Sequence, residues 1–167
     1  MAWRQPIYIA AGFAGIIGMT LLLVQPVLIA GHLPGFQGIT GRRMHRVTGV
    51  LLLLAVLAHI AGLWITSPPD VIDVLLFASP TPFGVWGAIA MWAVFASALV
   101  ALLRRKFRPK AWRRLHAGLA AVIVGGTVAH AVLIEGTMES MSKIALSAFI
   151  IMANLPVIYR AFVPRRA

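Results

Sequence analysis

Five long runs of apolar residues, separated by short polar segments, dominate the pattern along this chain. Each run is long enough to cross the hydrocarbon core of a bilayer, about 30 Å thick, as an α-helix. The predicted spans are 7–30, 42–65, 82–103, 110–134 and 142–162. We predict that the first run is a retained helix, because it is too long for a signal-peptide core. The pattern therefore predicts one all-α membrane domain, residues 1–167.

The segments between the runs carry signals for turns and helix ends. Thr81 is a suitable N-cap and Pro82 suits the first helical position, so the third span is predicted to begin there. Residues 70–77 are apolar but too short to cross a membrane. Two structures fit this segment: a short interfacial helix capped by Asp70, or an irregular loop.

Composition agrees with the membrane class, since 60% of the 167 residues are hydrophobic and only four are acidic. The chain has no cysteine, which excludes disulfides, thiolate metal sites and the covalent attachment used by c-type haem. A net charge of +11 could suggest nucleic acid, but the basic residues cluster in short loops between the apolar runs. That distribution is typical of membrane topology, and we expect lipid rather than nucleic acid beside this chain.

Basic residues predict the orientation of the chain. Thirteen of the 15 lysines and arginines fall in residues 31–46, residues 104–114 and the carboxyl-terminal tail, which lie on one side of the membrane if all five spans cross. Arg4, Lys143 and all four acids fall on the other side. Basic loops stay in the cytoplasm, so we predict an external amino terminus and a cytoplasmic carboxyl terminus, in a bacterial inner membrane.

Histidines lie at equal spacing in the second and fourth spans. His45 and His59 are fourteen residues apart, and so are His116 and His130. Fourteen residues at ~100° each come within about 40° of whole turns, so each pair shares a helix face, ~21 Å apart along the axis. Ionisable side chains inside membrane helices are costly and indicate function. These four histidines are therefore the main candidate site.

One span separates the two histidine helices, so both run in the same direction. His45 and His116, here called the inner pair, then share one level of the membrane, and His59 and His130, the outer pair, share the other. This arrangement predicts two stacked haems between the second and fourth spans, each with two histidines as axial iron ligands. A porphyrin extends roughly one turn along each helix, and the residues four away from the ligands are small: Gly49, Ala55, Ala120 and Gly126.

Other interpretations of the histidines remain open. A haem-free assembly or transport protein could use them for hydrogen bonds between helices, and a proton relay could use them as well. A zinc or copper site is disfavoured because ~21 Å separates the histidines of one helix and two imidazoles alone bind metal poorly. His32 lies outside the spans without a partner at matching spacing, and we expect it to be an interfacial residue.

A segment with basic residues enters each histidine helix: Arg42-Arg43-Met44-His45-Arg46-Val47-Thr48-Gly49 and Trp112-Arg113-Arg114-Leu115-His116. These two segments resemble the ferric reductase transmembrane domain. That family includes the membrane parts of ferric-chelate reductases and NADPH oxidases, and the haem subunit of a bacterial methionine sulfoxide reductase. The resemblance covers about residues 10–160. Family members commonly have six spans where this chain has five, so the first family helix is expected to be missing or supplied by a partner.

The resemblance implies a membrane subunit of an oxidoreductase that carries electrons through two b haems and has no catalytic residue of its own. A cytoplasmic flavin reductase, holding the FAD or FMN and the NAD(P)H, would be the donor. The acceptor would be extracytoplasmic: a ferric chelate, oxygen or a partner protein. Arginines lie where inner haem propionates are expected, and a guanidinium suits carboxylate recognition. They are Arg42, Arg43, Arg46, Arg113 and Arg114.

A small cytochrome b linked to quinol or superoxide is the alternative function. A quinone site needs polar side chains near one haem. Gln25 and Asn154 are the central candidates in the sequence.

Overall fold

A computed structural model describes residues 5–31, 33–136 and 138–163. His32, Arg4, Arg165 and Arg166, on which part of the sequence interpretation depends, lie outside these residues. The described chain forms six α-helices and a short 3-10 helix at Arg104–Lys106. The α-helices are α1 (Pro6–Ala30), α2 (Gly38–Thr66), α3 (Pro68–Leu75), α4 (Pro82–Leu102), α5 (Pro109–Leu133) and α6 (Ser140–Phe162).

Five of these helices, all except α3, are long and apolar enough to cross a membrane. Large hydrophobic side chains such as Phe13, Trp92 and Leu155 are exposed along them. In a soluble protein such an apolar surface would aggregate, whereas lipid tails accommodate it. The prediction of an all-α integral membrane protein with five long apolar helices is confirmed at this level.

The start of α2 differs most from its prediction, since the helix begins at Gly38 and not near residue 42. The extra turn passes close to the end of α1. A Cβ atom at Gly41 would lie 2.7 Å from the Leu28 carbonyl oxygen. The absence of a side chain at Gly41 therefore lets the first turn of α2 form against α1.

The segment after the second span is helical and not an irregular loop. The helix α3 begins after Ser67, which occupies the N-cap position, and Asp70 lies in its first turn. The Ser67 hydroxyl donates a hydrogen bond to the Asp70 carboxylate. Asp70 therefore supports the start of α3 from inside the helix, and the predicted capping position belongs to Ser67.

Helix packing divides the bundle into two tight pairs, α1 with α2 and α4 with α5, and α6 packs against α5 and α1. The backbones of α2 and α5 hardly approach each other. A hydrophobic core joins the long helices near mid-height, including Leu22 of α1, Leu52 of α2, Val94 of α4 and Ile150 of α6. The two histidine helices are thus held by their neighbours and by this core, and not by direct packing on each other.

Candidate haem-binding site

The structure brings the four histidines together in the two predicted pairs. The ring centroids of His45 and His116 are 6.3 Å apart, and those of His59 and His130 are 6.4 Å apart. The ring planes of the two pairs meet at 78° and 81°. Each pair joins α2 to α5, two helices whose backbones hardly approach each other.

In the outer pair, each ring is oriented by a backbone carbonyl of the neighbouring helix. The Nδ1 atom of His59 is 2.8 Å from the Ala11 carbonyl oxygen in α1, and that of His130 is 2.8 Å from the Phe83 carbonyl oxygen in α4. A carbonyl oxygen can only accept, so Nδ1 carries the proton in both rings. The Nε2 atom of each neutral ring then keeps its lone pair, as metal ligation requires.

The inner pair is oriented by more varied groups. The Nδ1 atom of His45 is 3.3 Å from the Gln25 carbonyl oxygen, and the buried Gln25 side-chain amide lies against the same nitrogen. The Gln25 amide is satisfied at both ends when its oxygen accepts from the Gly49 backbone amide at 2.8 Å and its nitrogen faces the His45 ring and donates to the His45 carbonyl oxygen at 3.3 Å. Gln25 therefore does not fix the proton on Nδ1 of His45 as firmly as the carbonyl groups fix it in the outer pair. The Nδ1 atom of His116 is 3.1 Å from the Ser97 hydroxyl, and the Trp112 ring stacks on the imidazole at 5.5 Å and 12°. A hydroxyl can donate or accept, so it fixes the His116 tautomer less firmly than a carbonyl would.

The separation of the paired rings can be compared with that of two imidazoles that bind one metal ion from opposite sides. A bond of about 2 Å from metal to each imidazole nitrogen, with ~1.1 Å from that nitrogen to its ring centroid, would separate two trans centroids by ~6.2 Å. The observed 6.3 and 6.4 Å match this separation. Within the described chain, no Nε2 atom of the four rings has a protein hydrogen-bond partner. In histidines that bind a metal, the nitrogen that does not ligate typically donates to a neighbouring group, as Nδ1 does in the outer pair.

Glycines allow the carbonyl contacts of the outer pair. Gly15 lies one turn after Ala11, and a Cβ atom there would be 3.2 Å from Nδ1 of His59. Gly87 lies one turn after Phe83, and a Cβ atom there would be 2.7 Å from Nδ1 of His130. Bare backbone at these two positions therefore lets α1 and α4 approach the rings closely enough for the hydrogen bonds.

These contacts repeat along the chain at an almost constant offset. His116 and His130 follow His45 and His59 by 71 residues, and Gly87 follows Gly15 by 72. The orienting groups at Phe83 and Ser97 likewise follow Ala11 and Gln25 by 72 residues. The helix pairs α1–α2 and α4–α5 are thus two copies of one arrangement running in the same direction. Such parallel repeats are related by an axis along the membrane normal, and each copy supplies one histidine at each level.

The small residues predicted to border the porphyrin lie in different surroundings. Gly49 is half-buried, and a Cβ atom there would be 3.3 Å from the Gln25 amide, whereas Ala55 is buried and Ala120 half-buried. Gly126 is buried against α4, where a Cβ atom would lie 3.0 Å from the Trp86 carbonyl oxygen. Close packing against α4 therefore explains by itself why position 126 is a glycine. A role beside a porphyrin stays a prediction.

The predicted propionate arginines are exposed at the level of the inner pair. Arg43 and Arg46 line a shallow concavity of about 360 Å³ with Val47 and Val50. At ~100° per residue, Arg43 lies on the opposite side of α2 from His45. The structure therefore does not bring Arg43 to the imidazole rings, and Arg114 is exposed on α5 two residues before His116. Contact of these arginines with propionates stays a prediction.

The two polar candidates for a quinone site are committed to contacts within the protein. Gln25 lies between His45 and Gly49, as described above. The Asn154 side-chain nitrogen donates to the carbonyl oxygens of Leu22, at 3.2 Å, and Ile150, at 2.9 Å. Both side chains thus tie helices together, which leaves less capacity to bind a quinone head group.

Sequence reasoning missed the roles of Gly15 and Gly87, which admit the orienting carbonyls, and of Ser97 and Trp112 beside His116. Part of this signal was present in the sequence, because the 71-residue offset of the histidines leads from Gly15 and Gln25 to within one residue of Gly87 and Ser97. Among the described residues, no group of three or more histidine, cysteine or acidic side chains could hold a metal ion. Comparisons with protein-family models, curated proteins and solved structures find no match to this chain.

Proposed function

We propose that this protein is a b-type cytochrome of the membrane, the haem-binding subunit of a transmembrane oxidoreductase resembling the ferric reductases. Electrons would enter from a cytoplasmic flavoprotein and leave to an extracytoplasmic acceptor. The observation that carries the proposal is the geometry of the two histidine pairs, with centroids 6.3 and 6.4 Å apart between helices whose backbones hardly approach each other.

His45 and His116 would hold one haem b, and His59 and His130 the other. A haem with histidine on both faces exchanges single electrons and has no open position for a substrate at the iron. The chain's own contribution is to orient the four imidazoles through their Nδ1 hydrogen bonds and to surround them with apolar side chains. Both contributions influence the reduction potential of a bound haem.

The haem-free alternative explains only part of the geometry. Histidines that merely join helices account for the four Nδ1 hydrogen bonds to α1 and α4. They do not account for the two pairs that meet across α2 and α5 at matching distances, or for four Nε2 atoms that have no partner among the described residues. The quinol-linked alternative is weakened because Gln25 and Asn154 bond within the protein.

The test is the haem content of the purified protein, measured by pyridine haemochrome assay. We expect two b haems per chain in the native protein and one after replacement of any single ligand by alanine. His59→Ala or His130→Ala should remove the outer haem, and His45→Ala or His116→Ala the inner one. His32→Ala is the matched control and should keep both. Two haems retained in both His45→Ala and His59→Ala would contradict the proposal.

A further inference from the structure

A buried lysine at the start of α6 contacts the backbone one helical turn beyond His130 of the outer pair. Lys143 is only 8% exposed, and its ammonium donates a 2.6 Å hydrogen bond to the Ile134 carbonyl oxygen at the end of α5. Lysine is rarely buried, and the chain's other two lysines, Lys106 and Lys110, are exposed. The position therefore requires an explanation beyond the general basic character of the chain.

The charge of Lys143 is not neutralised by a carboxylate in the part of the chain that the structure describes. Glu135 is exposed, and the Glu139 carboxylate accepts hydrogen bonds from the Met141 and Ser142 amides. One turn along α6, the Ser147 hydroxyl is 4% exposed and has no hydrogen-bond partner among the residues that the structure describes. A buried charge without a counter-ion acts over a longer distance than an exposed one, because little water screens it.

The position of this charge relative to the histidines follows from two hydrogen bonds. The Ile134 amide donates to the His130 carbonyl oxygen at 3.1 Å, and the Ile134 carbonyl accepts from Lys143. The ammonium is therefore attached one helical turn beyond His130. In the described part of the chain, the basic residues near the inner pair are all exposed: Arg42, Arg43, Arg46, Arg113 and Arg114.

This difference in nearby charge should give haems bound at the two sites different reduction potentials. One-electron reduction lowers the charge at a bound haem iron by one unit, from ferric to ferrous, and makes or breaks no bond. A nearby positive charge favours the reduced form. Exposed arginines contribute little, since water and salt screen them, whereas a buried ammonium keeps its effect.

We infer that Lys143 raises the reduction potential of the outer haem and so directs electrons from the inner pair to the outer pair. The inference rests on the proposed function, since it requires the outer pair to hold a haem. It assigns Lys143 a role in tuning the site, without contact with the iron or its ligands.

The test is redox titration of the outer haem alone, in the His45→Ala background that should lack the inner one. Lys143→Gln removes the charge but retains an amide donor for the Ile134 carbonyl. We expect it to shift the equilibrium towards the oxidised haem about tenfold, which for one electron is ~59 mV. The shift should persist at high salt. Lys143→Arg should titrate like the parent, and Lys110→Gln, the matched loss of an exposed lysine, should change nothing.

A second variant decides the question if Lys143→Gln does not retain the haem. Ser147→Asp places a carboxylate one turn from Lys143, where i,i+4 side chains meet, and should lower the potential by partly neutralising the ammonium. If Lys143→Gln binds haem, an unchanged reduction potential would overturn the inference. If that variant binds no haem, an unchanged potential in Ser147→Asp would overturn it. Either result would leave the proposed function intact. A native protein without haem would instead overturn the proposed function.

Discussion

The contact between Ser97 and His116 differs from the other three at the level of single residues, because a hydroxyl and not a backbone carbonyl meets Nδ1. A side-chain partner can be removed by mutation, whereas a carbonyl cannot. Ser97 is thus the position where the orienting hydrogen bond can be tested directly.

We predict that Ser97→Ala weakens inner haem binding by about 10- to 100-fold, the usual effect of losing such a partner of a ligating histidine. Outer haem binding should not change. Haem titration of the apoprotein, followed by the absorbance of each haem, measures both. The control is Ser147→Ala, which removes a buried hydroxyl that forms no hydrogen bond with any described residue. Equal inner haem affinity in Ser97→Ala and the native protein would contradict the prediction.

Gly87 is the residue at which added volume should affect the outer pair most directly. Because a Cβ atom would lie 2.7 Å from Nδ1 of His130, Gly87→Ala must displace either the ring or α4. We predict a loss of stability of about 1–3 kcal/mol, typical of overpacking, together with reduced outer haem content. Unfolding in mixed detergent and the haemochrome assay measure the two effects.

The matched control for Gly87→Ala is Gly125→Ala, because a Cβ atom at Gly125 meets nothing within 4 Å. It should preserve stability and haem content. Gly126 was expected from the sequence to border the porphyrin, but the structure shows that a larger side chain there, as in Gly126→Leu, would first collide with α4. Reduced haem content in Gly126→Leu would therefore not by itself show contact with a porphyrin. If Gly87→Ala and Gly125→Ala behave alike, close packing on His130 is not important.

At the level of elements, each histidine helix depends on the helix that precedes it. α1 orients both rings of α2, and α4 orients both rings of α5. The separation of α2 and α5 is then set by α6 and by the mid-height core, which connects α1, α2, α4, α5 and α6. A change that alters the position of α6 should affect the distance between the paired rings as well as the stability of the bundle.

The start of α6 depends on Glu139, whose carboxylate accepts from the Met141 and Ser142 amides at 2.9 and 2.8 Å. These hydrogen bonds stabilise the ionised form and hold the pKa of Glu139 below its ordinary value. The stabilisation is complete above about pH 4.3, the usual glutamate pKa, and is lost as pH falls through the lower pKa of the folded protein.

We therefore predict that the native protein loses stability as pH falls below this range, and that Glu139→Gln removes part of that dependence. Unfolding midpoints measured across acidic pH would show it. Glu135→Gln, an exposed acid four residues earlier that lies outside the cap, is the control. The prediction fails if the pH profiles of Glu139→Gln and the native protein are superimposable.

At the level of the whole molecule, the inner end is strongly basic. Its exposed residues include the 3-10 helix Arg104–Lys106 and, further on, Arg108, Lys110, Arg113 and Arg114. Such a surface should attract an acidic partner and accelerate the encounter, with an effect that weakens as salt shortens the Debye length from ~10 Å at 0.1 M to ~3 Å at 1 M.

We predict that a soluble flavin reductase reduces the haems from this side, at a rate that falls steeply with ionic strength. Changing Arg104, Arg105 and Lys106 to Gln should lower the rate at low salt and flatten its salt dependence. Stopped-flow haem reduction in oriented vesicles measures it, once the topology of the variant has been checked. A rate indifferent to both salt and the triple change would mean that these residues serve only topology and that the donor binds elsewhere.

The sequence by itself determined the helices and the candidate ligands. Apolar runs long enough to cross a bilayer leave few alternatives to helix, because backbone groups in lipid must bond within their own segment. Helix geometry places histidines fourteen residues apart on one face of a helix. Equal spacing in two helices of the same direction then predicted that His45 would meet His116 and that His59 would meet His130, as the structure shows. The helical state of residues 70–77 was left open, since a short amphipathic segment gives a weaker signal.

Only the tertiary structure decided how the rings are held and which charges are buried. The contacts of Ala11 and Phe83 use backbone carbonyls, which carry no sequence signal and depend on the approach of another helix. Gly126 fits a place beside a porphyrin by spacing, but the direction of α4 determines what it contacts. In the sequence, Lys143 was only one of the basic residues counted for topology. Its burial depends on how α6 packs against α5. Helix periodicity places residues on a face, whereas the packing of neighbouring helices determines what that face meets.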